Sequence, residues 1–138
     1  MTMFMKKISA ALVLSLLILP LFAQAPPVKL RIVDLDNVAT VIDQATTSST
    51  DEKGNFPVYL NGVKEMKQLN DYYMILVRHD LKASNPDIYI SVELIDMDDH
   101  SSIFEMARYM RFSGKTEEGT FSIQVKDINT IQVMRKGY

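Results

Sequence analysis

The chain has 138 residues and contains no cysteine and no tryptophan. Without a thiol there is no disulfide, no thiolate metal site, no cysteine nucleophile and no lipidated N-terminal cysteine. Only five glycines are present, and none builds a phosphate-cradling loop or a nucleophile elbow. An excess of positive charge is also missing: 15 Lys and Arg face 17 Asp and Glu, for a net charge of -2 and a pI near 5.6. That balance argues against nucleic acid as a partner. Hydrophobic residues make up 47% and charged residues 23%, a globular composition that excludes a disordered or collagen-like chain. The length fits one domain. No internal repeat or low-complexity tract is apparent in the letters.

The first segment reads as an address. Lys6 and Lys7 precede an uncharged run from Ile8 to Phe22, and Ala23-Gln24-Ala25 closes it with small residues. Positive, apolar and small in that order describe a secretory signal peptide over residues 1–25. The run is shorter than the roughly 20 residues that cross a bilayer, and Pro20 interrupts it. Membrane contact is therefore expected only through the transient leader, with an uncleaved anchor as the alternative. Pro26 obstructs a cut after Ala25, so cleavage after Ala23 competes with it. Removal of the leader leaves residues 26–138 as a single exported domain with 13 basic against 17 acidic residues, a charge of -4. A two-lysine leader on a cysteine-free domain points to a bacterial periplasm or exterior.

The remainder reads as α+β: mainly antiparallel β-sheet with a C-terminal meander and one or two short helices. Val28, Leu30 and Ile32 alternate with Lys29 and Arg31 as a half-buried strand. Val38, Val41, Ile42 and Ala45 share a helical face behind Asp36 as N-cap, which predicts a helix. Phe56–Leu60 is a short strand whose Pro57 places it at an edge or a strand start, and Asn61-Gly62 is a strong turn signal. Val63, Met66 and Leu69 fit a second helix. Residues 72–79, 88–94, 121–126 and 131–133 read as strands. The stretch 102–112 carries a capping-box sequence and also alternates; strand is favoured over helix. In that strand Arg108 shares the face of Phe104, Met106, Met110 and Phe112. A buried guanidinium then needs a carboxylate, with Glu93 or Asp96 as candidates, or an anionic ligand.

Chemistry is sparse. Asp96, Asp98, Asp99 and His100 form the densest polar cluster, but they lack the glycine and ligand spacing of a calcium loop and read as a solvated turn. Arg78, His79 and Asp80 follow an apolar strand, where a general base is conceivable without an evident nucleophile. The six methionines after the leader are scattered and read as core filling rather than a copper site. No metal and no cofactor is expected. The leading expectation is an exported, non-enzymatic binding, accessory or inhibitor module acting through a sheet edge or face on a protein partner or a small anionic ligand. Arg108, Arg78, His79, Thr130, Gln132 and Val133 are its candidate contact residues, with the strands at Pro57 and at Thr130–Arg135 as the edges. The alternative is a small hydrolase using His79 or His100 with nearby carboxylates.

Overall fold

The structure, a computed structural model, describes residues 28–50 and 52–135, so the expected leader and its cleavage point lie outside the described residues. The alternating segments form strands β1 (Lys29–Asp34), β2 (Ala39–Thr47), β3 (Asn55–Leu60), β4 (Val63–Gln68), β5 (Tyr72–Val77), β6 (Tyr89–Asp96), β7 (Ser101–Ala107), β8 (Arg111–Thr116), β9 (Gly119–Gln124) and β10 (Ile128–Met134). They make one sheet of order β4-β3-β7-β6-β5-β10-β1-β2-β8-β9, which curls as a half-barrel. Its ladders are antiparallel.

The α half of the expected α+β class is not there. Among the described residues, helix is limited to two three-residue 3-10 turns, Leu69–Asp71 and Val125–Asp127. The predicted helix from Asp36 to Ala45 is the hairpin partner of β1, and the one from Val63 to Leu69 is β4 running into a 3-10 turn. Stretch 102–112 is extended, as favoured, but breaks at residues 108–110 between β7 and β8. The C-terminal meander is also corrected. After the β6–β7 hairpin the chain leaves for β2 at the far side, builds β8–β9 there, and returns to the centre as β10.

These excursions follow from an internal duplication. The five strands β1–β5 and the five strands β6–β10 have the same order of elements, each with a 3-10 turn before its last strand. Exchanging β1–β5 for β6–β10 reverses the sheet order onto itself. Registers agree residue by residue: Leu30↔Ile42 answers Val92↔Phe104, Asn55↔Gln68 answers Arg111↔Gln124, and Asp43↔Lys115 answers Glu105↔Tyr59. Thr130 faces Leu76 and Gln132 faces Met74, so the pseudo-two-fold axis passes through the Ile75↔Ile131 pair. Each half lends its third and fourth strands to the other: β3 pairs with β7, and β8 with β2.

Burial repeats with the topology. Phe56 and Phe112, Leu69 and Val125, and Ile75 and Ile131 are equivalent pairs, and all six are fully buried in one core. Each contributes on the order of 2 kcal/mol of hydrophobic stabilisation. The first turns are also copies. Asp34 Oδ1 accepts from the amides of Asp36 (2.8 Å) and Val38 (2.9 Å), while Asp96 Oδ1 accepts from those of Asp98 and His100, both at 2.9 Å. Asn37 and Asp99 take the left-handed conformation at φ 63° and 67°, which short polar side chains tolerate.

Candidate functional site

The outer face of the six central strands is built jointly by the two halves. Two cross-strand rows span it. One runs Val41, Arg31, Gln132, Met74, Ile95, Ser101, and its image across the axis runs Ile103, Glu93, Leu76, Thr130, Val33, Ala39. Val41 and Ile103 are exposed, and Val33, Met74, Leu76 and Ile95 are half-buried. The hydrophobic side chains straddle the axis and no described element packs over them. A contiguous patch of this kind on a polar-rimmed sheet has the composition of a contact surface.

A charged cluster borders the patch. Arg78 Nη1 donates to Glu93 at 2.6 Å, while its Nε and Nη2 form a fork on Asp80 at 2.9 and 2.7 Å. Ser101 Oγ donates to the other Glu93 oxygen at 2.7 Å. The Arg78 fork holds the Asp80 carboxyl down at about 2. Glu93 is lowered by the Ser101 hydroxyl first and by Arg78 second, and Arg78 is raised by the Asp80 hydrogen bonds and then by Glu93. One guanidinium faces two carboxylates, so the cluster carries a net charge of -1, and every arm of the guanidinium is already engaged, which leaves it little capacity for an added anion.

The candidates from sequence scatter. His79 Nε2 lies 2.8 Å from the Ile128 carbonyl, while its pseudo-symmetry mate Arg135 donates Nη2 to the equivalent Tyr72 carbonyl at 2.9 Å. Both side chains therefore cap the chain where a 3-10 turn enters a strand. His100 is on the β6–β7 turn, at the other end of β6, roughly 20 Å from His79 at the rise of a strand. The two histidines share no site. Thr130 and Gln132 stand on the outer face beside the axis, while Val133 is buried in the core. β10 is central, between β5 and β1, and Pro57 is on a strand flanked by β4 and β7; neither is the edge predicted.

Arg108 is off the core face, because β7 has ended at Ala107. Its Nη1 donates to the Pro86 carbonyl at 2.6 Å, its guanidinium rests 5.6 Å from the Tyr109 ring, and its buried Nε has no partner. Glu93 is taken by Arg78 and Ser101 instead. Asp96, Asp98 and His100 present ligand atoms within 4.8 Å of one another beside a groove of about 430 Å³. The duplicate turn explains Asp96 without a metal: Asp34 makes the same two hydrogen bonds where Val38 replaces the histidine.

Among the described residues the free edges are β4 and β9. An open groove of about 720 Å³ runs beside the β8–β9 hairpin, with Lys29, Asp43, Lys115, Glu118 and Phe121 among its lining. Sequence reasoning missed the outer face because it needs the register of six strands, two of them remote in the chain. No protein-family model matches this chain, and no curated protein matches it.

Proposed function

We propose that the chain is an exported, non-enzymatic binding module of a bacterial periplasm or exterior, which holds a protein partner on the outer face of its central sheet. The observation that carries this reading is the pair of rows through Met74, Leu76, Thr130 and Gln132, where half-buried Met74 and Leu76 flank the pseudo-two-fold axis and no element among the described residues packs over them. Met74 and Leu76 alternate with Gln132 and Thr130 beside the axis, and Arg31 and Glu93 interrupt the rows farther out, a mixed composition like that of non-obligate interfaces. Further support comes from the histidines, one of which caps a backbone carbonyl while the other stands on a solvated turn.

A photo-crosslinking amino acid placed at Thr130 or Gln132, in the chain expressed in its own host, tests this. A discrete protein adduct is expected from these positions and not from Glu117 on the distant β8–β9 turn. Equal labelling from all three positions, or none from any, defeats the proposal. Recovery of the chain in the cytosol with residues 1–25 attached defeats the export part.

A further inference from the structure

We infer that β9 is a docking edge for a second copy of this chain, which adds its own β9 antiparallel across a two-fold axis at Ser122. A free edge offers unpaired backbone groups, and proteins that must stay apart guard such edges with charges, including charges that point inward. The duplication supplies an internal control. β4 and β9 are equivalent edges, and β4 is guarded: Lys64, Glu65 and Lys67 fall within six residues, with the Lys67 ammonium 3.0 Å from Glu65 and 5.1 Å from the Phe104 ring.

The positions in β9 that correspond to Glu65 and Lys67 hold Phe121 and Ile123, and Thr120 replaces Lys64. β9 (Gly119–Gln124) contains no charged residue and no proline. Phe121 and Ile123 are half-buried on the core side, while Thr120 and Ser122 are exposed on the other. With Ser122 opposite Ser122 of the second copy, Phe121 meets Ile123 on the apolar side in both directions, and Thr120 meets Gln124 on the polar side. No charge has to be desolvated, and each face continues into its own kind. Pairing β4 in the same register would set Glu65 against the second copy's Lys67, trading the ion pair that Lys67 already makes within its own strand and desolvating part of it. The charge pattern therefore selects β9–β9 pairing and a closed dimer rather than an open chain.

The contact is one strand wide, well under the area of a standard interface, so association is weak and visible only at high concentration. Sedimentation equilibrium of the purified protein is expected to show a monomer at low micromolar concentration and a dimer approaching about 1 mM. Phe121→Lys/Ile123→Lys, which sets like charges against each other on both sides of the seam, is expected to remain monomeric throughout. Ser122→Lys, at an exposed position, is expected to do the same and serves should the double variant fail to fold. Glu65→Phe/Lys67→Ile, which strips the guard from β4, is expected to form species larger than a dimer. A wild-type monomer at about 1 mM, or a dimer unaffected by Ser122→Lys, overturns the inference. A monomer that still crosslinks a partner from Thr130 leaves the outer-face reading intact.

Discussion

Gly114 and Val58 occupy equivalent places in the two halves, and replacing each tests whether their difference shapes the sheet. A Cβ on Gly114 would lie 2.7 Å from the Asp43 carbonyl oxygen, 2.8 Å from Ile42 Cβ and 3.0 Å from Ile42 Cδ1. Two of those three obstacles are backbone or Cβ atoms, which no rotamer change moves. Its absence lets β8 close on β2 with three register pairs, whereas β3 with Val58 meets β7 at the single pair Tyr59↔Glu105. Overpacking a tight contact costs about 1–3 kcal/mol, and a backbone obstacle puts Gly114→Ala near the top of that range. A stiffer unfolded chain returns about 0.4–1 kcal/mol. The net destabilisation is about 2 kcal/mol, which lowers Tm by roughly 8 °C for a domain of this size. Val58→Ala removes methyl groups from a fully buried side chain and costs about 2 kcal/mol by the opposite route, a cavity. β2, against which Gly114 packs, also touches β3 across the curl of the sheet, so the double variant reads the coupling of the two sites as its departure from the sum. Urea unfolding at constant m-value, with calorimetric melts, measures all three. A Gly114→Ala protein that melts within about 2 °C of wild type, given the scale above, refutes the claim that close approach of β8 to β2 requires a missing side chain.

Two further outcomes follow from the duplicated turns and the charged rim. Asp34→Ala and Asp96→Ala each remove a carboxylate that closes a turn through two backbone amides, so each is expected to cost about 1 kcal/mol, and the same in both halves. A zinc- or calcium-dependent melting temperature that Asp96→Ala abolishes and Asp34→Ala does not would instead make Asp96 a ligand. The Asp80 carboxyl is held at about 2, below its ordinary 3.8, and Glu93 is lowered as well. Groups with depressed folded values stabilise above their unfolded values and lose that contribution as pH falls through the folded ones. Wild type should therefore lose stability between about pH 4 and 2, and Arg78→Met, which installs the equivalent Met134, should lose less of it. Parallel acid titrations of the two proteins check this, and superimposable curves would remove Arg78 as the cause.

The strand content was legible in the sequence wherever one face is buried and the alternation is uninterrupted, as in β1, β6 and β10. It failed where the backbone departs from regular pleating. The spacing that suggested a helix from Val38 to Ala45 is produced by a bulge: Gln44, at φ 52°, is the extra residue in the β2–β8 ladder. An inserted residue moves the next inward side chain from position 44 to 45, and Ile42 and Ala45, both fully buried, end up three apart as they would on a helix. Val38 and Val41, the other half of that apparent stripe, are exposed. In β4 the false helix has a different origin. Val63 and Met66 are exposed on a guarded edge, and only Leu69, in the 3-10 turn, is buried, so the three never share a face.

The repeat was invisible for a related reason. Across the matched segments the identities are few: Asp34/Asp96, Asp36/Asp98, Ala45/Ala107, Phe56/Phe112, Gln68/Gln124, Asp71/Asp127, Ile75/Ile131 and Val77/Val133. Between the matched segments the chain runs over residues 48–54 in the first half but only 108–110 in the second. A single offset therefore cannot align both parts of the repeat. What the halves keep in common is which positions are buried, which residue closes the first turn and where the ladder slips, and none of these depends on a particular letter. Where they differ the surface has diverged: Lys67 against Ile123, Glu65 against Phe121, Arg31 against Glu93 and His100 against Val38. Matched burial holds the two halves to one geometry, while the outer-face rows and the β9 side chains Phe121, Ser122 and Ile123 lie at positions where they disagree. The comparison of the two edges thus carries information that neither half holds alone: β4 records what keeps such a strand solitary, and β9 lacks it.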